Sequence, residues 1–361
     1  MMPPPHHVMG MTDVELEAHD RLMGLVASVA DLPERDVVLI GDVMLDCYIH
    51  GYADNLNSRA PVPVLKESFR EQDVGAAAHV ARGLRSLGLK PHLFGVIGDD
   101  DAGGSILDAL SEEQVDTDGL VVLEGRTTTV KTRMLASRQS LVADEQLMLR
   151  WDIEDDSPLP VDALTQMVDQ AIARLPGAAA VILSDYGLGV ITDEGASRLI
   201  DAAKEHNVPV IADPKLTGFH RTRDVNWVVM QSHGLELMRR RLGADSPRDA
   251  AHQLLADHGW SQLLVLAGSE GVTIYEGDGN DAHVECTLTT LRQMIGLIDA
   301  AAVAIAVALA ADLDVDGTAL LANASSECIL GADGYSRFAL TRDDVVERLR
   351  ESAWNLQISK R

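Results

Sequence analysis

At 361 residues, 46% of them hydrophobic, the chain can bury a large core, as one α/β domain with a small appendage or as two ordinary domains. Its 30 Lys and Arg face 56 Asp and Glu, a formal charge of -26, which argues against a nucleic-acid backbone or an anionic membrane surface as partner and leaves any small anion to a local site. Cys47, Cys286 and Cys328 show no paired spacing, so neither a disulfide framework nor a zinc site is expected, and a cytoplasmic location is.

Residues 1–10 hold prolines and the pair His6 and His7 but neither the basic start nor the apolar core of a secretory signal, and are expected to form a loose tail. Apolar residues at helical spacing over 14–30 predict a helix ahead of the main fold, making 1–36 an N-terminal extension. From residue 37 onward, short apolar strands (37–40, 92–97, 181–184, 208–212, 227–230, 263–266) alternate with amphipathic helices (76–87, 103–110, 194–206, 246–258). That alternation predicts an α/β fold with a doubly wound, mostly parallel sheet and helices on both faces, its ligands beyond the C-terminal strand ends.

Two stretches interrupt the alternation. Extended segments around Val62 and Val64, and around Thr128, Val130, Thr132, Leu147, Leu149 and Trp151, have no helix between them. They predict a small separate β-sheet lid from about 47–67 and 126–152. Residues 277–281 read as a turn between strands 272–275 and 283–288. The apolar run 300–311 is too short to span a membrane and is followed by Asp312, Asp314 and Asp316, so it predicts a core helix. Residues 351–361 are expected to be a tail, closing a main domain of 37–350.

The chemistry-bearing residues cluster around strand ends and one helix start. Asp299 stands at the mouth of the 300–311 helix, where unpaired backbone N–H groups and the positive end of the helix dipole suit an anion such as a transferring phosphate. A carboxylate there can take a proton from an attacking hydroxyl; it can equally be a plain helix cap. Asp42 and Asp46 follow the first strand, and paired carboxylates suit polyhydroxyl ligands, although turn residues read the same way.

The segments Gly41 to Asp46, Arg59-Ala60-Pro61-Val62-Pro63-Val64, Thr129-Val130-Lys131-Thr132-Arg133, Ser184-Asp185-Tyr186-Gly187, Asp213-Pro214-Lys215 and Gly296 to Asp299 occur in the order found in ribokinase-like (PfkB) sugar kinases. The chain most resembles the D-glycero-β-D-manno-heptose-7-phosphate kinase branch, in its single-function form, over about residues 37–349. The resemblance implies Asp299 as base, with Gly296, Leu297 and Ile298 as an anion hole for the γ-phosphate. It implies Asp46 and Asp42, with Gly75, His79 and Asp185, on the sugar side. Gly268, Gly271 and Asn323 would serve the nucleotide, and Glu236 would help order magnesium, with Mg-ATP as donor. A sugar or sugar phosphate would be the acceptor, and a homodimer through the lid is implied as well.

Several positions depart from that pattern. The family's D-T-x-G-A-G-D reads Gln293-Met294-Ile295-Gly296-Leu297-Ile298-Asp299, placing a β-branched residue where glycine is usual and a positive φ would be strained. An Asn is replaced by His79, a Lys by Leu188, an N-x-x-E by His233-Gly234-Leu235-Glu236, and a Thr by Leu266. Two functional readings therefore stand: a working ATP-dependent sugar kinase, or an inert member of the fold that binds a ligand or partner. A nicotinamide dehydrogenase ranks below both, because no G-x-G-x-x-G follows the first strand. The acidic run Asp99, Asp100 and Asp101 reads as a solvated loop.

Overall fold

The computed structural model describes residues 11–137, 145–332 and 340–358. The tail expected at the N-terminus, with His6 and His7, lies outside them. In chain order the elements are α1 (Asp13–Ala30), β1 (Asp36–Gly41), β2 (Val43–Leu56), β3 (Pro63–Ala76), α2 (Ala77–Ser86), β4 (Lys90–Gly98), α3 (Asp101–Glu112), β5 (Asp116–Leu123), β6 (Val130–Ser137), β7 (Gln146–Ile153), α4 (Val161–Ala173) and β8 (Ala180–Asp185). They continue with α5 (Asp193–Glu205), β9 (Val210–Pro214), β10 (Trp227–Gln231), α6 (Ser232–Leu242), α7 (Pro247–His258), β11 (Gln262–Leu266), β12 (Val272–Glu276), β13 (Asp281–Val284), α8 (Leu297–Ala310), α9 (Val315–Gly331) and α10 (Arg342–Ile358).

The large sheet runs β13-β12-β11-β10-β9-β8-β1-β4-β5. Every neighbouring pair from β11 to β5 is parallel, and the β12–β13 hairpin is antiparallel at one edge. Because strand side chains alternate between faces, Val37 and Leu39 of β1 enter one core and Val38 and Ile40 the other. The first core is covered by α1, α2, α3, α8, α9 and α10, the second by α4, α5, α6 and α7. Helix α8, apolar on nearly all sides, is buried between α2, α9 and the sheet.

The second sheet, β3-β2-β6-β7, is the expected lid. Its central pair β2–β6 is parallel and both outer pairs are antiparallel. The lid exceeds its expected bounds, since β2 and β3 each run 14 residues and β3 leads straight into α2 at Ala76. Two register shifts between β2 and β3 accommodate that length, and irregularities of this kind leave no period in the sequence.

Both terminal expectations change. Helix α1 is integral to the first core, burying Leu22, Leu25, Val26 and Val29 with residues of α8, α9 and α10, while Arg21 bonds Asp314 and Asp316 at 2.6 and 2.7 Å. The tail expected from residue 351 is helix through Ile358, with Ala353 buried. Among the described residues no helix is long and apolar enough to cross a membrane.

If α1 is part of the core, Leu25→Ala lowers unfolding stability by about 2–5 kcal/mol in urea titrations, the usual range for a buried Leu. A loss below about 1 kcal/mol contradicts that packing.

Candidate active site

Helix α8 starts at Gly296, whose φ of 79° is in the left-handed region. The helix's first internal bond runs from the Ala300 N–H to the Gly296 carbonyl at 2.9 Å, so the N–H groups of Leu297, Ile298 and Asp299 have no acceptor within the helix. No side chain caps this end. The carboxylate of Asp299 instead lies 2.8 Å from His79 Nδ1 and accepts from the Tyr186 hydroxyl at 3.3 Å. Within residues 293–299 the positive φ falls on Gly296, so Ile298 sits unstrained in the helix, contrary to expectation, and Leu297 is buried in the core.

His79 reaches Asp299 from the first turn of α2, in a pocket that a glycine creates. A Cβ on Gly296 would lie 2.7 Å from His79 Cε1, so only glycine admits the ring there. Burial opposes a charge on the imidazole, but Asp299, with Asp73 and Asp46 behind it, raises its pKa above the ordinary histidine value.

Asp46 comes to the same place from the lid. It bonds Arg133 at 2.6 Å, and the space beside its carboxylate exists because Gly75 has no Cβ, which would stand 2.7 Å from Asp46 Oδ2. Asp46, Tyr48, Asp73, His79, Gln293 and Asp299 line a hollow of about 30 Å³. That is room for a water or two, against the roughly 300–1,000 Å³ of a typical ligand pocket, so the lid is closed on it.

The other expected sugar-side residues have structural duties. Asp42 does not line the hollow; its oxygens accept the N–H groups of Tyr186, Leu188 and Val190 at 2.8, 3.1 and 3.2 Å, pinning the loop after β8. Burial lifts its pKa in spite of these donors. Asp185 accepts from the Gly187 N–H at 2.9 Å and pairs with Arg221 at 2.9 Å. Asp100 likewise caps α3 through the Gly103 N–H and holds Thr128, so it is no solvated loop acid.

On the nucleotide side the turn after β11 forms as expected, with positive φ at Gly268 and Gly271. Gly271 is required by packing, since a Cβ would meet the Val284 carbonyl at 2.0 Å. Gly268 faces Leu291 and Met294 of the segment that leads into α8. Asn323, implied on the nucleotide side, is buried, its amide donating to the Glu285 carbonyl and to Glu327 at 3.2 Å each. Glu236 is held by Arg239 and Arg240 at 2.7–2.9 Å, and these bonds pull its pKa down to about 2. Its carboxylate is thus engaged by two guanidinium groups where the resemblance implies a residue that helps order magnesium, and among the described residues no group of three or more His, Cys, Asp and Glu is placed to hold a metal.

Several site residues carried no assigned role in the sequence. The half-buried Tyr186 ring has Lys215 Nζ 4.1 Å and Lys131 Nζ 5.5 Å from its centroid. Burial lowers the Lys131 pKa. Asp213, buried at the end of β9, has its pKa raised by burial, and then by Asp299, to about 7. Lys131 and Arg133 stand two apart on β6, the spacing that puts strand residues on one face, and this was the available signal.

Residues 34–341 match the model of the pfkB family carbohydrate kinases, and the chain belongs to that family. It is 35% identical over 271 residues to the bifunctional protein HldE of Hyphomonas neptunium, covering 73% of this chain and 52% of that protein. It is 32% identical over 323 residues to the bifunctional protein HldE of Rhodopseudomonas palustris strain BisB18, covering 88% and 64%. The chain thus spans about half to two thirds of the length of these relatives. Its fold is shared by Arabidopsis thaliana ribokinase complexed with ribose and ATP (TM-score 0.65, 18% identity, 88% of this chain and 99% of that one). It is shared also by Escherichia coli phosphofructokinase-2 in complex with fructose-6-phosphate (TM-score 0.69, 16% identity, 88% and 99%).

The His79–Asp299 pair has a pH signature. A histidine pKa raised by folding contributes stability that is full below the unfolded value and lost as pH rises through the folded one. Asp299→Asn therefore lowers Tm more at pH 6 than at pH 9 in calorimetry; equal losses at both pH values contradict the pairing.

Proposed function

We propose that the chain transfers the γ-phosphoryl group of ATP to a hydroxyl of a sugar or sugar phosphate of the heptose 7-phosphate type. The carrying observation is that Asp299, beside the unpaired N–H groups at the start of α8, shares a hollow with Asp46 on the lid. As the acceptor oxygen bonds to the γ-phosphorus and the bond to the ADP oxygen breaks, Asp299 takes the hydroxyl proton. The N–H groups of Leu297 and Ile298, at the positive end of α8, offset the charge gathering on the phosphoryl oxygens. Carboxylates such as Asp46 accept bonds from sugar hydroxyls. Lys131 and Lys215, both beside the Tyr186 ring, supply cations for a phosphorylated acceptor where Leu188 supplies none. The nucleotide enters by the Gly268–Gly271 turn, adjoining the 291–296 segment.

A second reading, ligand binding without transfer, is favoured by one observation: His79 and Tyr186 already occupy both oxygens of Asp299. Phosphate transfer from ATP to heptose 7-phosphate, followed by ³¹P NMR with nucleotide binding measured by calorimetry, separates the two. The kinase reading predicts product from the parent chain, and a loss of about 10²–10⁴-fold in kcat for Asp299→Asn with ATP binding kept. Product formation by neither protein favours the inert reading.

The same proposal includes a homodimer through the lid and residence in the cytoplasm. Leu147, Leu149 and Trp151 of edge strand β7, with Val64 and Phe69 of β3, are exposed apolar side chains on a sheet with two open edges, the features of an association surface. The three cysteines are unpaired, as a reducing compartment keeps them. Trp151→Asp is expected to shift a dimer to monomer in sedimentation equilibrium; a monomeric parent chain contradicts the dimer.

A further inference from the structure

His79 and Asp299 occupy equivalent places, each the third residue of its helix, so the pair joins the N-terminal mouths of α2 and α8. The contact is built into the fold: it needs the bare Cα of Gly296 and a buried ring position in the first turn of α2. The resembling kinases carry Asn at this position, and an amide can bond a carboxylate but cannot carry a proton charge to it. The other charged groups around the ring are largely matched. Asp73 on β3 pairs with Arg82 of α2, which also holds Glu113. Asp46 on β2 pairs with Arg133 of β6. On the far side of Asp299 stand the Tyr186 hydroxyl, Asp213 and Lys215. Among the contacts of the described residues, Asp299 bonds the His79 ring directly, at 2.8 Å.

We propose that His79 is a positioning residue for Asp299: it holds the carboxylate in place, and its own proton decides how readily Asp299 takes one from the acceptor hydroxyl. The inference rests on the phosphotransfer reading. While His79 is an imidazolium, its Nδ1–H donates to Asp299 and the adjacent positive charge opposes transfer of the acceptor proton to that carboxylate. Once His79 releases that proton to solvent, the carboxylate keeps a neutral N–H donor and loses the opposing charge. Turnover therefore rises with pH as His79 titrates, a titration that Asp299 shifts upward from the ordinary histidine value.

The test compares pH profiles of kcat/KM, with heptose 7-phosphate and ATP as substrates, for the parent chain and His79→Asn. The titration of the His79 ring is followed by NMR in the parent chain and in Asp299→Asn. The expected result is a rising limb in the parent chain that coincides with the His79 titration. In His79→Asn that limb moves to lower pH, raising turnover several-fold on the acid side with little change in KM for the acceptor. In Asp299→Asn the His79 titration moves to lower pH. A limb that stays in place in His79→Asn, with turnover present, overturns the inference and leaves the phosphotransfer reading standing. An unmoved His79 titration in Asp299→Asn also overturns it. Absence of turnover in both proteins overturns the phosphotransfer reading and this role together, leaving the pair as a structural contact.

Discussion

A carboxylate placed at the start of a buried helix must be paired or neutralised, and the site is organised around how this fold meets that demand. Asp299 is held by an imidazole from α2 and a phenol from the loop after β8, and each partner depends on further residues. The imidazole depends on Gly296 lacking a side chain. The phenol depends on Asp42, which fixes the backbone of its loop through three N–H groups. Removing either support changes the position of Asp299 without touching it.

Charge balance gives the same result on a wider scale. The sheet end collects Asp46, Asp73, Asp185, Asp213 and Asp299, and four of them are matched by Arg133, Arg82, Arg221 and His79. Among the described residues Asp213 makes no ion pair, and burial raises its pKa to about 7 in spite of the charge of Lys215. In a chain of net charge -26, an anionic ligand finds cations only where the fold concentrates them. Lys131 and Lys215 beside the Tyr186 ring form such a place, one contributed by the lid and the other by the segment after β9.

The parallel sheet, the buried α8 and the separate lid were legible because each rests on a hydrophobic period that burial enforces. The convergence of Asp46 with Asp299 was legible as well, since both stand where strand ends and a helix start meet the crevice. The loop-anchoring bonds of Asp42 were not legible, because a carboxylate after a strand looks the same in sequence whether it faces a cavity or holds the neighbouring loop. Glu236 carried a warning in its own spacing: Arg239 and Arg240 follow at i+3 and i+4, where helical side chains meet. Asn323 has Glu327 at the same i+4 spacing, whereas its bond to the Glu285 carbonyl belongs to packing that no local pattern records. Helix α4 was legible and overlooked, with Leu164, Met167, Val168 and Ala171 at i, i+3, i+4 and i+7. Helix α6 was hidden, since only Leu235 and Met238 are buried along it.

The small hollow between the lid and α8 brings these residues together, with Asp46, Tyr48 and Arg133 in mutual contact on its lid side. The most direct measurement is a crystal structure of the protein with heptose 7-phosphate and a non-hydrolysable ATP analogue. The account predicts an acceptor hydroxyl within hydrogen-bonding distance of Asp299, other sugar hydroxyls on Asp46, and the γ-phosphate against the N–H groups of Leu297 and Ile298. Both ligands bound away from the start of α8, with Asp299 still closed on His79 and Tyr186, would contradict it.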